Sequence, residues 1–168
     1  LKIDKGNIRY STANHLSDYK PCQPVFSKKL SGEQKKISIK LRQLVKAPCY
    51  NTTLLRGVTG SGKTEVYLDS VSEVIKSGEQ VLVLVPEIAL SIDFVERLSS
   101  RFGVLPGQWH SGISNRDRKN LYTAIASNKV NLVIGARSAL FLPFKKLGLI
   151  VVDEEHDTSY KQDEGVCY

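Results

Sequence analysis

Residues 57–64 read Gly-Val-Thr-Gly-Ser-Gly-Lys-Thr, which matches the phosphate-loop pattern Gly-x-x-x-x-Gly-Lys-Thr at every fixed position. Such a loop needs a strand before it and a helix after it, because backbone N–H groups and the positive end of the helix dipole must converge on phosphate oxygens. A flexible glycine-rich turn is the plain alternative, but chance rarely produces all of these positions together. The pattern therefore predicts an α/β fold built around a nucleoside triphosphate.

Apolar residues alternate between strand and helix spacing along the rest of the chain. The continuous apolar run at 81–85 is too short for a helix and suits a strand buried on both faces of a parallel sheet. The same reasoning predicts strands at 52–57, 132–134 and 149–152, and helices from Ser31 to Pro48, from Thr64 to Gly78, from Ile88 to Phe102 and from Ser114 to Asn128. This alternation predicts a mainly parallel sheet flanked by helices.

An acidic pair follows the last predicted strand. Asp153 and Glu154 come directly after residues 149–152, at the carboxyl end of a buried strand, where ligands bind in parallel sheets. Solvated charges commonly end strands, but the phosphate loop upstream makes a metal and water site the stronger interpretation. We expect Asp153 and the Thr64 hydroxyl to hold Mg²⁺, and Glu154 to orient or deprotonate the attacking water.

The nucleotide contacts are expected to come mainly from the loop, with Lys63 placing its charge on the β- and γ-phosphates. The contacting residues are Gly57, Thr59, Gly60, Ser61, Gly62, Lys63 and Thr64. Gln34 has two roles open to it. It completes a capping box with Ser31 at a helix start, and its amide, which both donates and accepts, could read the edge of adenine.

Polar segments also follow other strands at the same edge of the predicted sheet. These segments are Pro86-Glu87, Trp109-His110-Ser111-Gly112 and Gly135-Ala136-Arg137-Ser138. Their hydroxyl, guanidinium and backbone N–H groups are suitable donors to nucleic-acid phosphates, with His110, Ser111, Arg137 and Ser138 as the candidates. Ordinary βα turns are an equal alternative for each segment, and Trp109 suits packing as well as base stacking. His156, after the acidic cluster, is either a surface residue or a bridge from the γ-phosphate region to nucleic acid.

The positive charge is concentrated ahead of the phosphate loop. The net charge of +7 divides into +8 for residues 1–50, with 11 Lys and Arg against 3 Asp and Glu, and −1 for residues 51–168. A basic flank on a near-neutral core is typical of a polyanion binder, although a solvated tail has the same composition. We expect nucleic-acid binding that weakens steeply with salt.

The composition excludes several other classes. Cys22, Cys49 and Cys167 are far apart, so we predict reduced thiols rather than a disulfide framework or a zinc ribbon. No signal pattern and no apolar run of about 20 residues occurs, so a cytoplasmic protein without a membrane partner is expected. The 168 residues contain no methionine, and we expect them to be part of a longer protein.

The strings GVTGSGKTEVY, LVPEIAL, HSG, GARSALF and LGLIVVDEEHDTSYKQ occur in this order. Together they resemble the amino-terminal motor lobe of superfamily 2 DNA helicases, in particular the bacterial primosomal replication-restart helicases. GARSALF and DEEHDTSYKQ are the more specific strings, and the resemblance covers roughly residues 31–164. It implies a RecA-like phosphate-loop NTPase lobe at 31–168, preceded at 1–30 by a linker or the end of a DNA-binding winged-helix region.

The resemblance also implies an activity. It implies an ATP-driven 3′-to-5′ helicase that acts on forked DNA at stalled replication forks, with single-strand binding protein and other primosome proteins as partners. Catalysis is then assigned to Lys63, Asp153, Glu154 and His156, with His156 coupling ATP hydrolysis to DNA. Gln34 is carried over as the adenine-side candidate, and ATP and Mg²⁺ as the cofactors.

Two features of that family do not occur in these 168 residues. One is the Cys-rich zinc-binding insert, so zinc is expected only downstream. The other is the arginine finger of the second lobe, which is worth about 10³ to 10⁵ in turnover. We therefore expect the segment alone to bind nucleotide and hydrolyse it very slowly. A kinase or transport ATPase is a disfavoured alternative, because Glu154 is followed by Glu155-His156. A nucleotide-binding module without turnover also remains open.

Overall fold

A four-stranded parallel sheet lies at the centre of the computed structural model, which describes residues 19–25, 29–86 and 91–161. The strands are β1 (Gln80–Leu84), β2 (Gly107–Trp109), β3 (Leu132–Gly135) and β4 (Leu147–Val152), in the order β2-β3-β1-β4. The α-helices are α1 (Gly32–Lys46), α2 (Lys63–Lys76), α3 (Ile92–Phe102) and α4 (Asn115–Ala126), and 3₁₀ helices span Arg137–Phe141 and Thr158–Tyr160. The predicted α/β class is confirmed.

The strand β1 is the core of the sheet because every one of its residues is buried. Val81 and Val83 lie in the apolar cluster formed with α2 and α3 on one face. Leu82 and Leu84 lie in the second cluster, formed with α4 and the first 3₁₀ helix on the other face. The apolar run at 81–85 therefore has the two-sided burial that its composition predicts.

A fully buried glutamine closes the amino end of the sheet. The Gln80 Nε2 donates to the carbonyls of Ile125 and Val130 at 3.0 and 2.8 Å. Its Oε1 accepts from the backbone N–H groups of Lys145 and Lys146 at 2.8 and 2.9 Å. One amide thus satisfies four backbone groups and ties the loop before β3 to the loop before β4.

Serine side chains cap the starts of three of the described helices, at two of which, Ser31 and Ser114, the sequence predicts a helix start. The Ser31–Gln34 capping box at α1 is present with both of its hydrogen bonds, and Ser91 and Ser114 cap α3 and α4 through their side chains. Gly103 ends α3 in the left-handed conformation. The predicted start of this helix near Ile88 is wrong, because α3 begins at Ile92 after Ser91, whose backbone is extended; Glu87 and Ile88 themselves lie outside the described residues.

The prediction of a strand at 52–57 is wrong. The structure has no strand there, and of these residues Leu55 alone is half-buried, against the α2–α3 side of the core. Leu54 is 62% exposed, and Thr52, Thr53 and Arg56 are exposed as well. One buried side chain supplies too little apolar burial to hold an extended segment in register. The outer edge of β4 is consequently unpaired among the described residues.

Three other features were not predicted. β2 has only three residues and no β-branched side chain, so the pattern gave no strand signal. The segment Arg137–Phe141, expected to be a plain turn, is a 3₁₀ helix. β4 begins at Leu147, two residues before the predicted position, and it is an exposed to half-buried edge strand rather than the buried strand that was predicted, because among the described residues only β1 pairs with it.

Residues 19–25, the described part of the predicted 1–30 linker, contact the lobe. Asn131 binds the Cys22 backbone twice, its Oδ1 accepting from the N–H at 2.7 Å and its Nδ2 donating to the carbonyl at 3.0 Å. Burial raises the pKa of the Cys22 thiol to about 12, so the thiol stays protonated. Cys22 and Cys49 are free thiols as expected, whereas Cys167 lies outside the described residues. None of the described helices is long and apolar enough to span a bilayer.

We predict that Gln80→Leu lowers the free energy of unfolding by more than about 2 kcal/mol, because it leaves four backbone groups without their partner while keeping the volume similar. Urea unfolding measures the change. The matched control is Gln43→Leu on exposed α1 surface, which should stay within about 0.5 kcal/mol of the parent. Equal changes in the free energy of unfolding for the two substitutions would show that the four hydrogen bonds of Gln80 do not stabilise the fold.

Candidate functional site

The carboxyl ends of the four strands lie in one row. The parallel register pairs Trp109 with Gly135, Gly135 with Leu84, and Leu84 with Val152. Neighbouring strands lie about 4.8 Å apart, so the residues that follow these ends share an edge about 14 Å long. The sheet therefore brings the acidic pair after β4 and the polar segments after β2 and β3 to the same side.

The phosphate loop is closed on itself by its own lysine. The Lys63 Nζ donates to the carbonyl of Gly57 at 2.7 Å and lies 3.3 Å from that of Val58. Gly60 and Gly62 have φ angles of 77° and 83°, which glycine adopts without strain. No side chain of the described residues caps α2 at Gly62, so its first N–H groups are available to an anion.

Gln34 links α1 to the phosphate loop. Its Oε1 accepts from the Ser31 N–H at 2.8 Å, which completes the capping box, and its Nε2 donates to the Ser61 carbonyl at 2.8 Å. The capping role is confirmed. The same amide also sets the position of the loop relative to α1, a contact that the sequence did not reveal.

Asp153 is held by hydrogen bonds on its backbone and on both carboxylate oxygens. The Tyr67 hydroxyl donates to Oδ2 at 2.8 Å, and the Glu154 N–H lies 3.1 Å from Oδ1. The Asp153 N–H donates to the Leu84 carbonyl at 2.9 Å, and the Tyr160 hydroxyl donates to the Asp153 carbonyl at 2.9 Å. Since Tyr67 is on α2, this carboxylate is attached to the helix that follows the phosphate loop.

Burial and charge act in the same direction on the two tyrosines. Burial, reinforced by the negative charge of Asp153, raises the pKa of Tyr67 and of Tyr160. Both phenols therefore stay protonated over the whole physiological range and act as donors. Thr64 lies close enough to the Tyr67 hydroxyl to lower the pKa of that phenol. α2 thus carries both Thr64, one predicted magnesium ligand, and the hydroxyl that donates to Asp153, the other.

The donor set fits a magnesium ion. Mg²⁺ takes oxygen ligands and is usually held by one or two protein groups, the rest being water and phosphate oxygens. The Thr64 hydroxyl and the Asp153 carboxylate supply such oxygens, and the Tyr67 hydroxyl donates to that carboxylate. No cluster of three or more His, Cys, Asp and Glu side chains occurs in the described part of the chain, so the donor set is not that of an all-protein metal cage.

Glu154 and His156 lie on the exposed side of the acidic turn. Glu154 has a φ of 48°, a left-handed conformation that costs free energy for a non-glycine residue and often marks a functional turn. The side chain of Glu154 is 53% exposed and that of His156 is 76% exposed, with 3.6 Å between His156 Nε2 and Glu154 Oε2. Both groups are accessible to a ligand at this edge.

The candidate nucleic-acid contacts lie at the ends of β2 and β3. The Ala136 N–H donates to the Trp109 carbonyl at 3.1 Å, which joins the two segments. Ser111, Arg137 and Ser138 are exposed and His110 is half-buried. The Arg137 Nη1 reaches the carbonyl of Tyr160 at 3.5 Å, so this group is adjacent to the acidic turn.

Trp109 has a packing role in this structure. It is half-buried against the cluster on the α4 face of the sheet. The Arg118 guanidinium lies over its ring, 5.0 Å from the centroid, a cation–π arrangement that covers the aromatic face. The arrangement favours the packing interpretation over base stacking.

A partly buried network of ion pairs attaches α2 to the neighbouring helices α1 and α3. Glu65 accepts from Arg97 Nε at 2.9 Å and from Arg101 Nη1 at 2.8 Å, and Arg101 is only 4% exposed. One turn later, Asp69 accepts from Ser38 and pairs with Arg42 at 3.4 Å, both on α1. The helix that carries Lys63 and Thr64 is therefore attached to α3 through Glu65 and to α1 through Asp69.

A parallel sheet flanked by helices is the architecture of a RecA-like helicase lobe, and comparison with known families agrees. The DEAD/DEAH box helicase family matches residues 40–167, which is more than half of the chain, so the chain belongs to this family. The match includes both the phosphate loop and the acidic turn.

Similar proteins carry a narrower description, "Replication restart protein PriA". The one from Rickettsia conorii is 51% identical over 139 residues, which cover 83% of this chain and 21% of that protein. The Bacillus subtilis protein is 41% identical over 167 residues, covering 96% and 20%, and the Haemophilus influenzae protein is 46% identical over 134 residues, covering 80% and 18%. The chain thus spans about a fifth of the length of these relatives.

We predict that Gly62→Ala damages the loop more than Gly60→Ala does. Both residues have positive φ, so each substitution costs roughly 1–2 kcal/mol of backbone strain. A Cβ at Gly62 would also collide with Nε2 of Gln34, whereas a Cβ at Gly60 meets nothing within 4 Å. Urea unfolding and nucleotide binding measure both effects.

The collision itself is tested by a double substitution. Gln34→Ala together with Gly62→Ala should cost less than the sum of the two single changes, because the shorter side chain makes room for the methyl group. Strict additivity would show that Gln34 does not limit the loop.

Proposed function

We propose that this chain is the ATP-binding lobe of an ATP-driven DNA helicase. The observation that carries the proposal is the hydrogen bond from Tyr67 to Asp153, because it attaches the acidic turn after β4 to the helix after the phosphate loop. A phosphate grip and a carboxylate pair joined in this way suit phosphoryl transfer, which depends on positioning more than on covalent chemistry.

In this proposal the loop residues Gly57 to Gly62 and the start of α2 bind the phosphates through backbone N–H groups. Lys63 leaves the carbonyls of Gly57 and Val58 and places its ammonium on the β- and γ-phosphates. Such a charge-assisted contact is worth about 1.5–3 kcal/mol. The uncapped helix start supports this role, since its N–H groups face an anion more favourably than water.

The acidic turn supplies the hydrolytic half. Thr64 and Asp153 would hold Mg²⁺, which when bound would supply positive charge to neutralise the charge developing on the phosphate oxygens. Glu154 orients or deprotonates the attacking water, and the position of its side chain, 53% exposed beside Asp153, leaves room for that water. His156, next to Glu154, is proposed to couple this step to bound DNA.

Gln34 is proposed to read the adenine edge in addition to capping α1. Its two amide atoms already bind Ser31 and Ser61, so recognition of a base would exchange or share these two bonds. Such an exchange would make the position of the loop depend on the presence of the base.

The DNA contacts are proposed to be Arg137, Ser138, His110 and Ser111, supported by their common position at the sheet edge.

Within the basic segment 1–50, fewer residues are available to DNA than the charge count suggests. Arg42 and Lys46 pair with Asp69 and Glu73 on α2. The exposed lysines at 35, 36 and 40 are the remaining α1 candidates for a polyanion. Deleting residues 1–50 would remove α1 and its ion pairs with α2 as well as the positive charge. Substitutions that neutralise the exposed lysines therefore test their part in DNA binding more directly than a deletion does.

The biological setting is proposed from the relatives that are described as replication restart proteins. In this setting the full-length protein unwinds DNA in the 3′-to-5′ direction at stalled forks in the cytoplasm, together with primosome proteins and single-strand binding protein. The described part of residues 1–30 supports attachment to an upstream region, since residues 19–25 are bound along the lobe.

The 168 residues alone are proposed to turn over ATP slowly. The site residues described above all belong to one lobe, and the side chains of Glu154 and His156 are exposed to solvent. A second lobe that placed an arginine next to these two residues would raise turnover by about 10³- to 10⁵-fold. A nucleotide-binding module without turnover is thus the second candidate for this segment in isolation.

We predict that Lys63→Ala in the full-length protein weakens binding of a fluorescent ATP analogue about 10- to 100-fold and abolishes DNA-stimulated ATP hydrolysis. The control is Lys129→Ala, an exposed lysine at the opposite end of the sheet, which should leave both unchanged. Nucleotide binding by Lys63→Ala at the level of the parent would contradict the proposed function.

We predict that Arg137→Ala weakens binding of single-stranded DNA to a similar extent for different sequences, because a phosphate contact carries no base information. A plot of log affinity against log salt concentration should become shallower by about one unit. Lys129→Ala again serves as the control of equal charge change, and an unchanged slope for Arg137→Ala would remove this residue from the DNA-binding surface.

A further inference from the structure

Tyr67 lies on the buried side of α2, but unlike its apolar neighbours there it has a hydroxyl group that needs a hydrogen-bond partner. The residue is only 8% exposed, and its ring packs in the cluster between α2, α3 and the sheet. Its hydroxyl leaves that cluster and donates to Oδ2 of Asp153, 86 residues later in the chain, at 2.8 Å. A buried tyrosine hydroxyl requires a partner, and here the partner is the carboxylate of Asp153, which directly follows β4.

We infer that Tyr67 is a positioning residue for the metal-binding carboxylate: it fixes the rotamer of Asp153 and its distance from Thr64. This inference rests on the proposed function. Thr64 and Tyr67 are on the same side of α2, one turn apart, so the helix sets the spacing of the two magnesium ligands. The Glu154 N–H restrains the other carboxylate oxygen at 3.1 Å.

The restraint on Asp153 extends to its backbone. The bond from the Asp153 N–H to Leu84 fixes the end of β4 against β1, and the bond from Tyr160 fixes the carbonyl. With the backbone held, the remaining freedom of Asp153 is rotation of its side chain, and Tyr67 removes that freedom. Partners of this kind, which orient a ligand without touching the metal, change metal affinity by about 10- to 100-fold.

The test is Tyr67→Phe in the full-length protein, which removes the hydroxyl and keeps the ring in the core. Binding of a non-hydrolysable fluorescent ATP analogue is titrated with magnesium, and separately measured in EDTA. We expect the magnesium concentration at half-maximal binding to rise about tenfold while the affinity in EDTA stays at the parental value. Tyr122→Phe, a half-exposed tyrosine on α4, is the matched control and should change neither value.

Each outcome decides the inference. An unchanged magnesium dependence overturns it, and so does an equal loss of affinity with magnesium and in EDTA, which would show a structural role only. In an Asp153→Asn background, Tyr67→Phe should have no further effect on magnesium dependence, because the residue acts through Asp153. An additional effect in that background contradicts the inference.

Failure of the proposed function is recognised separately. If Lys63→Ala binds nucleotide as the parent does, the proposed function fails; if Lys63→Ala behaves as expected and Tyr67→Phe does not, only the inference on Tyr67 fails. A measurement on the unsubstituted protein covers the case in which Tyr67→Phe does not fold. The Cζ NMR resonance of isotope-labelled Tyr67 should shift on adding the ATP analogue with magnesium, and not with the analogue in EDTA; no difference between the two overturns the inference.

Discussion

The register of β1 with its two neighbours is the constraint on which the rest of this structure depends. Leu84 is opposite Gly135 on one side and Val152 on the other, and β1 is buried on both faces. A slip of β4 by one residue would move Asp153 about 3.3 Å along the strand and exchange the faces of its side chains. The hydrogen bond to Tyr67 would then be lost, so the geometry of the candidate site follows from strand pairing.

A second level of order comes from charged groups around α2. Glu65 is held by Arg97 and Arg101 from α3, and Asp69 by Ser38 and Arg42 from α1. Buried ion pairs contribute little net stability, because desolvation offsets most of the attraction. They are favourable only when the charged groups have well-defined relative positions. The network therefore orients the helix that begins at the phosphate loop, while the apolar side of the same helix supplies the burial free energy.

The sequence was most informative where a pattern has a local cause. The run at 81–85 and the capping box at Ser31 are local signals, and the structure confirms them. The strand at 52–57 was predicted from its place before the loop, yet its own side chains lack the burial that such a strand requires. β2, with three residues, has too little sequence to carry a period.

In the candidate site, too, the sequence predicted the local motifs but not the contacts between distant residues. The phosphate loop and the acidic pair are contiguous strings, so their residues could be named from the sequence. Helical periodicity places Tyr67 on the apolar side of a helix, but periodicity indicates burial only and does not show that the hydroxyl meets a carboxylate 86 positions later. The link from Gln34 to Ser61 was missed for the same reason, since the partner lies 27 residues away.

The bonds between Lys63 and its own loop have a consequence for the selection of ligands. The ammonium is bound to two carbonyl oxygens, so an incoming anion competes with the protein for that charge. A singly charged anion offers little more than the carbonyls do, whereas adjacent phosphate groups offer several charged oxygens at once. Under the proposed function, the loop would therefore discriminate by the number of negative charges on a ligand, before any contact with a sugar or a base is made.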